Sequence, residues 1–120
     1  MGLGGPNGAG LPPMLSLQAA STLGTVGTRY DLDTAYDKWA LRVKLNGNAT
    51  GVVVQLKGAI ASSSDANGAL VALTTWSLQA PQSCDDTVFI TGKPVTSVLA
   101  EVTSLSSTGT TVTAWISGCR

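Results

Sequence analysis

Two runs with an apolar side chain at every second residue, on either side of a polar connection within 37–60, are the feature that most constrains how this chain folds. Side chains of a strand point alternately to its two faces, so this spacing is typical of strands with one buried face. The predicted inward set is Trp39, Leu41, Val43, Leu45, Val52, Val54, Leu56 and Ile60. Because a short connection containing Asn and Gly separates the two halves, the stretch predicts a β-hairpin.

The same alternation recurs in shorter segments, with turn signals between them. Further strands are predicted at 15–21, 25–30, 70–78, 87–92, 96–105 and 111–117. The last two are expected to form a second hairpin, with Leu99 on the face away from the core. Segment 31–37 contains three aspartates but not the glycine and distal glutamate of a calcium loop, so it is interpreted as a solvated turn. The chain is therefore expected to be all-β: a single antiparallel β-sandwich, jelly-roll-like, of six to eight short strands.

Residues 1–14 differ from the rest in containing five glycines and three prolines. Such a segment buries too little surface to offset the entropy that it loses on ordering. The sequence therefore predicts a flexible, extended N-terminal arm at 1–14 and a sandwich domain at 15–120. Two interpretations of the arm stay open: a disordered terminus, or a segment that docks on a neighbouring subunit through Leu3, Leu11 and Met14.

Composition excludes several classes of function. The chain has no histidine, so Ser-His-Asp and Cys-His catalysis are excluded. Seven acidic and seven basic residues cancel, and no cluster of Lys and Arg would follow a phosphate backbone, so no nucleic acid is expected as a partner. No apolar run approaches membrane-spanning length, and no cation precedes Arg29 to start a secretory signal. We expect a non-enzymatic protein made in the cytoplasm, with no catalytic residues, metal, cofactor or membrane.

Two cysteines and two tryptophans stand out among the remaining side chains. Cys84 and Cys119 both lie at predicted strand ends, so a disulfide between them is conceivable, whereas chains made without a secretory route usually keep reduced thiols. Trp115 is out of phase with the apolar face of its strand, and Trp76 is the next candidate for an exposed aromatic side chain. Contact with a partner and burial in the core are both open for each tryptophan.

From Tyr30 onward the chain resembles the small β-sandwich proteins of tailed bacteriophage particles. The resembling segments are YDLDTAYDKWALRVKL, GVVVQLKGAIASSSDANGALVAL, SVLAEVTSL and TGTTVTAWISG. They share a pattern of strand and turn chemistry rather than one invariant motif, so no residue-level role is carried over. The resemblance implies a structural protein on the capsid surface of a virion, of the capsid decoration or stabilisation type.

The partners that the resemblance implies are the major capsid protein and further copies of this chain, a trimer being one such homo-oligomer. Two alternatives remain. One is a carbohydrate- or receptor-binding sandwich at a tail tip or head fibre, with Trp76, Trp115 and Tyr36 stacked on the rings of a glycan. The other is a tail-tube or connector subunit, which would form closed rings.

Overall fold

The computed structural model describes residues 10–47, 51–78, 84–106 and 109–119, and it contains eight strands. They are β1 (Met14–Ala20), β2 (Tyr30–Tyr36), β3 (Lys38–Asn46), β4 (Val52–Ala59), β5 (Val71–Leu78), β6 (Cys84–Ile90), β7 (Val95–Ser104) and β8 (Thr111–Cys119). A 3-10 turn, Asn67–Ala69, precedes β5. Two four-stranded antiparallel sheets pack together: the front sheet, in the order β1-β8-β3-β6, and the back sheet, in the order β2-β7-β4-β5. The predicted all-β antiparallel sandwich is confirmed.

Alternation along β3 and β4 explains how the sheets pack. The inward side chains of β3 are at most 2% exposed, and those of β4 are fully buried. The predicted inward set is therefore correct except for Ile60, which is 78% exposed. Strand β4 ends at Ala59, so Ile60 has already left the sheet at the point where alternation would turn it inward. Gly58 occupies the last inward position instead.

The predicted hairpin between β3 and β4 is wrong. Strand β3 lies in the front sheet between β8 and β6, whereas β4 lies in the back sheet between β7 and β5. The chain thus changes sheets between Asn46 and Val52. Two strands that face each other across a core show the same alternation as two that are hydrogen-bonded side by side, so the pattern could not separate the cases. The predicted hairpin between β7 and β8 fails for the same reason.

The strand order corresponds to one long antiparallel hairpin that is rolled up. Strand β1 pairs with β8, β2 with β7, β3 with β6 and β4 with β5. The tip of this hairpin is the connection between β4 and β5, and rolling it brings β3 beside β8 and β4 beside β7. This order supports the predicted jelly-roll-like arrangement.

Segment 31–37, predicted as a turn, instead supplies most of strand β2. Asp31 and Asp33 point to solvent, while alternate residues between Tyr30 and Tyr36 are partly or fully buried. Aspartate is rare in strands, and this preference misled the prediction. At outward positions of an edge strand the carboxylates stay in contact with water, so the alternating apolar residues form a strand despite the low strand propensity of aspartate.

Ser16 and Gly27 join the two sheets along one edge. The Ser16 hydroxyl donates to the Thr28 carbonyl and accepts the Ala100 N–H, both at 2.9 Å. The Gly27 N–H donates to the Ala100 carbonyl at 2.7 Å. A Cβ on Gly27 would lie 2.4 Å from the Ser16 oxygen, so this close approach requires glycine. The strand predicted at 25–30 is this junction instead.

The part of the predicted arm that the structure describes lies along β8. The Leu11 N–H donates to the Gly118 carbonyl at 2.7 Å, and the Leu11 carbonyl accepts the Ser117 hydroxyl at 2.8 Å. Leu11 and Met14 pack against the core, so both have partners in their own chain where the sequence suggested none. The third predicted anchor, Leu3, lies outside the described residues, and the flexible arm stays a prediction.

Candidate functional site: the front groove

The outer face of the front sheet brings exposed aromatic side chains close to small ones. Ala40 on β3 pairs with Phe89 on one side and with Ser117 on the other, which places the three in one row. In the next row along β3, Arg42 pairs with Trp115. Neighbouring strands are about 4.8 Å apart and every second residue is about 6.7 Å along, so Phe89 and Trp115 stand about 12 Å apart. Ala40 and Ser117 lie between them.

These small side chains leave a depression between their taller neighbours. One cavity of about 410 Å³ lies on the Phe89 side, and another of about 200 Å³ lies on the Trp115 side. Both are lined by Ala40 and Ser117, so the two cavities adjoin each other. We call this pair of cavities the front groove, and its principal lining residues are Leu11, Pro13, Ala40, Phe89, Trp115 and Ser117.

Trp115 lies on the outer face of β8, as its phase along the strand predicted, and it is half-buried there. The guanidinium carbon of Arg42 lies 4.5 Å from the centroid of the indole ring, which is a cation–π contact. Arg42 also donates two hydrogen bonds to the Asp85 carboxylate, at 2.8 and 2.6 Å. These bonds hold the pKa of the Asp85 carboxyl below its ordinary value. The pair fixes the guanidinium over one face of the indole.

Trp76, the second interface candidate, is in the core and offers no surface to a partner. It pairs with Val54, an inward residue of β4, and is 4% exposed. Its indole N–H donates to Asp86 Oδ2 at 2.9 Å. Tyr36 is only 9% exposed and contacts Trp39 edge to face. Of the three side chains proposed to stack on a glycan, only Trp115 is accessible, and Arg42 covers one of its faces.

Phe89 is an exposed aromatic side chain that the sequence did not single out. It is 76% exposed because it shares the outward row of Ala40. Its neighbours Val88 and Ile90 pack against the core. The out-of-phase argument that identified Trp115 therefore applies to Phe89 as well and would have found it.

The sequence left a disulfide between Cys84 and Cys119 open, and the strand register places the two residues too far apart for one. The backbone of Cys84 pairs with Leu45, whereas that of Cys119 pairs with Lys38, at the opposite end of β3. Seven residues of strand span about 23 Å, and bridged cysteines need Cα atoms within about 7 Å. Cys119 carries a free thiol.

The outer face of the back sheet is acidic. Its carboxylates are Asp31, Asp33, Asp65 and Glu101. A depression of about 700 Å³ lies between β2 and the loop 60–70, here called the back loop, with Ile60 in its wall. Ser97 donates to Asp31 at 2.6 Å, and this hydrogen bond holds the pKa of the Asp31 carboxyl below its ordinary value. Within the described ranges, no group of acidic or thiol side chains is arranged to hold a metal ion.

Arg29 holds the back loop in place. Its Nη2 donates to the Ser62 carbonyl at 2.7 Å, and its Nη1 donates to the Asp65 carbonyl at 2.5 Å. Nη1 also reaches Asn67 Oδ1 at 3.2 Å, and Nε donates to Asp31 Oδ1 at 2.9 Å. Only 12% of the Arg29 side chain is exposed. One guanidinium therefore satisfies three acceptors of the back loop and one on β2.

Leu99 is buried although it lies outside the main core cluster. Its side chain points away from the core, as predicted, because its neighbours Val98 and Ala100 point inward, yet it is 1% exposed. Nearer the start of β7, Ala61 of the back loop and the Thr96 hydroxyl exchange hydrogen bonds of 3.0 and 2.9 Å, which join the back loop to β7.

Comparison with known proteins adds no family: no family model, curated protein or solved structure matches this chain. In the part of the chain that the structure describes, no helix is long and apolar enough to cross a membrane.

Proposed function

We propose that this chain is a non-enzymatic structural protein of a tailed-phage particle, a capsid decoration protein that acts through protein–protein contacts at the front groove. Its partners are the major capsid protein and further copies of itself. The strand order supports the proposal, because it is consistent with the predicted jelly-roll-like arrangement, which occurs in viral capsid domains as well as in lectins. Since unrelated functions share this architecture, the groove itself has to carry the argument for a contact surface.

The observation that carries the proposal is the exposure of Phe89 beside an apolar groove. Single exposed apolar side chains are common, but Phe89, 76% exposed, borders a groove lined by Leu11, Ala40 and Trp115, and a contiguous apolar patch is typical of a contact surface. Aromatic side chains and arginine are enriched in the centres of protein interfaces, and Phe89, Trp115 and Arg42 supply both kinds here. Truncating such an anchor typically costs about 2 kcal/mol or more, which is about a thirtyfold loss of affinity.

The neutral chain also suits a repeated coat. Its seven cations and seven anions give no net charge, so many copies can lie side by side without long-range repulsion. Because zero net charge supplies no overall attraction between copies, buried apolar contacts such as the front groove are needed for affinity.

Binding to particles tests the proposal. Particles made without this protein are incubated with purified wild type, Phe89→Ala, Trp115→Ala or the control Leu23→Ala, and bound protein is measured by co-sedimentation. Leu23 is 57% exposed in a turn outside the front groove, so its truncation removes a similar apolar side chain elsewhere. We expect both groove variants to bind at least tenfold more weakly, with unfolding midpoints close to that of wild type.

Three results would contradict this expectation. If wild type does not sediment with particles, the capsid is not its partner. If the groove variants bind as well as Leu23→Ala, the front groove is not the contact surface. Binding confined to the tail, seen as closed rings by electron microscopy, would support the connector alternative.

A further inference from the structure

The two outer faces of the sandwich carry opposite charge, although the whole chain is neutral. The front face has three cations against one anion, a net charge of +2: Lys38, Arg42, Lys44 and Asp85. The back face has two cations against four anions, a net charge of −2: Arg29, Lys57, Asp31, Asp33, Asp65 and Glu101. Strand alternation causes this separation, since it turns every cation of β3 to the front and both aspartates of β2 to the back.

Both faces also carry a strongly exposed apolar side chain. On the front, Phe89 projects beside Lys38, and both line the same cavity. On the back, Ile60 is 78% exposed and lies in the wall of a depression shared with Asp31, Asp33 and Asp65. A projecting aromatic ring with a cation beside it thus faces out on one side, and a depression with apolar and acidic walls opens on the other.

We propose that copies of this chain associate head to tail, the front face of one copy docking on the back face of the next. Phe89 enters the depression beside Ile60, and Lys38 approaches the carboxylates around it. Front-to-front and back-to-back pairing would each oppose faces of like charge, whereas front-to-back pairing opposes +2 to −2. Such an interface joins different surfaces, so it gives closed rings if the rotation between copies closes, and open chains otherwise.

The faces are large enough for a stable contact. The two larger extents of the molecule, 42 and 29 Å, enclose about 1,200 Å², and a standard interface needs about 800 Å² on each partner. The inference deepens the proposed function, because it identifies what fills the front groove among the partners named there, but it can be tested without a capsid.

Sedimentation velocity of the full chain at low and high salt tests the head-to-tail contact. Lys38→Glu damages the front face only, and Asp33→Lys damages the back face only; both residues are exposed, so the fold should tolerate either change. Lys93→Glu is the matched control, since Lys93 is an exposed loop residue outside both charge sets. We expect wild type and the control to form assemblies that dissociate at high salt, and each face variant to associate at least tenfold more weakly.

Mixing the two face variants separates this contact from a symmetric one. Lys38→Glu keeps an intact back face and Asp33→Lys keeps an intact front face, so the two variants should associate with each other although each alone stays largely monomeric. Phe89→Ser should weaken association at every salt concentration, because its contribution is apolar. Wild type that remains monomeric, Asp33→Lys that assembles like wild type, or a mixture that stays monomeric would each overturn the inference.

The outcome is independent of the capsid. Monomeric protein that still binds particles would overturn head-to-tail association and leave the proposed function standing. Assemblies that bind no particle would overturn the proposed function and leave head-to-tail association standing.

Discussion

Replacing Arg29 by alanine should destabilise this protein far more than the usual loss of a surface arginine. The guanidinium makes four hydrogen bonds, three to the back loop and one to Asp31, with only 12% of the side chain exposed. The freed acceptors can bind water, so each bond is worth about 0.5–1 kcal/mol, and their loss lowers the free energy of unfolding by about 2–4 kcal/mol. For a domain of this size, that is a fall of about 6–20 °C in the unfolding midpoint.

Thermal unfolding and hydrogen exchange together test this reasoning. Exchange should accelerate at amides that close the turns of the back loop, such as Asp65, whose N–H donates to Ser62. Arg29→Lys should lie between wild type and Arg29→Ala, because an ammonium keeps the charge but cannot reach four acceptors that suit a planar fork.

The control is Arg42→Ala, which removes an arginine that is also paired with an aspartate. The Arg42–Asp85 pair is about half exposed on both sides, so its loss should change the midpoint little. If Arg29→Ala and Arg42→Ala have equal midpoints, or if exchange in the back loop is unchanged, then Arg29 does not hold that loop.

Three further changes have expected outcomes. Val54→Asp places a charge at a fully buried position and should prevent folding. Gln55→Asp lies on the outer face opposite Glu101, and the repulsion between the two carboxylates should cost less than about 1 kcal/mol of folding stability. Circular dichroism and urea unfolding compare the two variants. The pKa of Asp31 is lower in the folded state, so the unfolded chain takes up the proton first as the pH falls. The contribution of the Asp31 carboxylate to the free energy of unfolding is therefore complete above about pH 4 and is lost as the pH falls below that value. Asp31→Asn should remove that part of the pH dependence in midpoints measured from pH 7 to pH 2, and an unchanged profile would contradict the assignment. Deleting residues 2–13 should lower the midpoint more than deleting 2–9, since only the longer deletion removes Leu11 and its bonds to β8; equal midpoints would show that this contact contributes nothing.

The inward residues could be predicted from the sequence because the signal is local. Val54 and Trp39 are buried for a reason visible within a few residues of each: apolar side chains at every second position need one buried face. Trp115 could be placed outside by the same rule. The rule failed at Ile60, where the strand had already ended, and it gave no sign that Leu99, which points outward as predicted, is only 1% exposed.

Strand partners could not be predicted, because they depend on contacts between distant parts of the chain. Nothing near Cys84 or Cys119 indicates that their strands flank β3 with the two cysteines at its opposite ends. The front groove has the same origin, since its aromatic side chains, Phe89 and Trp115, come from β6 and β8 and meet across Ala40 of β3. The outward direction of each contributing side chain could be predicted from the sequence, but their proximity to one another could not.

Assigning β3 and β4 to different sheets also changes the electrostatics of the molecule. As a hairpin, these strands would have presented Lys38, Arg42, Lys44 and Lys57 on one strongly basic face. In the sandwich, Lys57 lies on the back sheet instead, where its ammonium contacts Glu101 at 2.8 Å. The front face keeps a moderate positive charge and the back face a moderate negative one. A chain whose net charge is zero can therefore still direct one copy onto the next, because the pairing of its strands, and not its composition, sets where each charge lies.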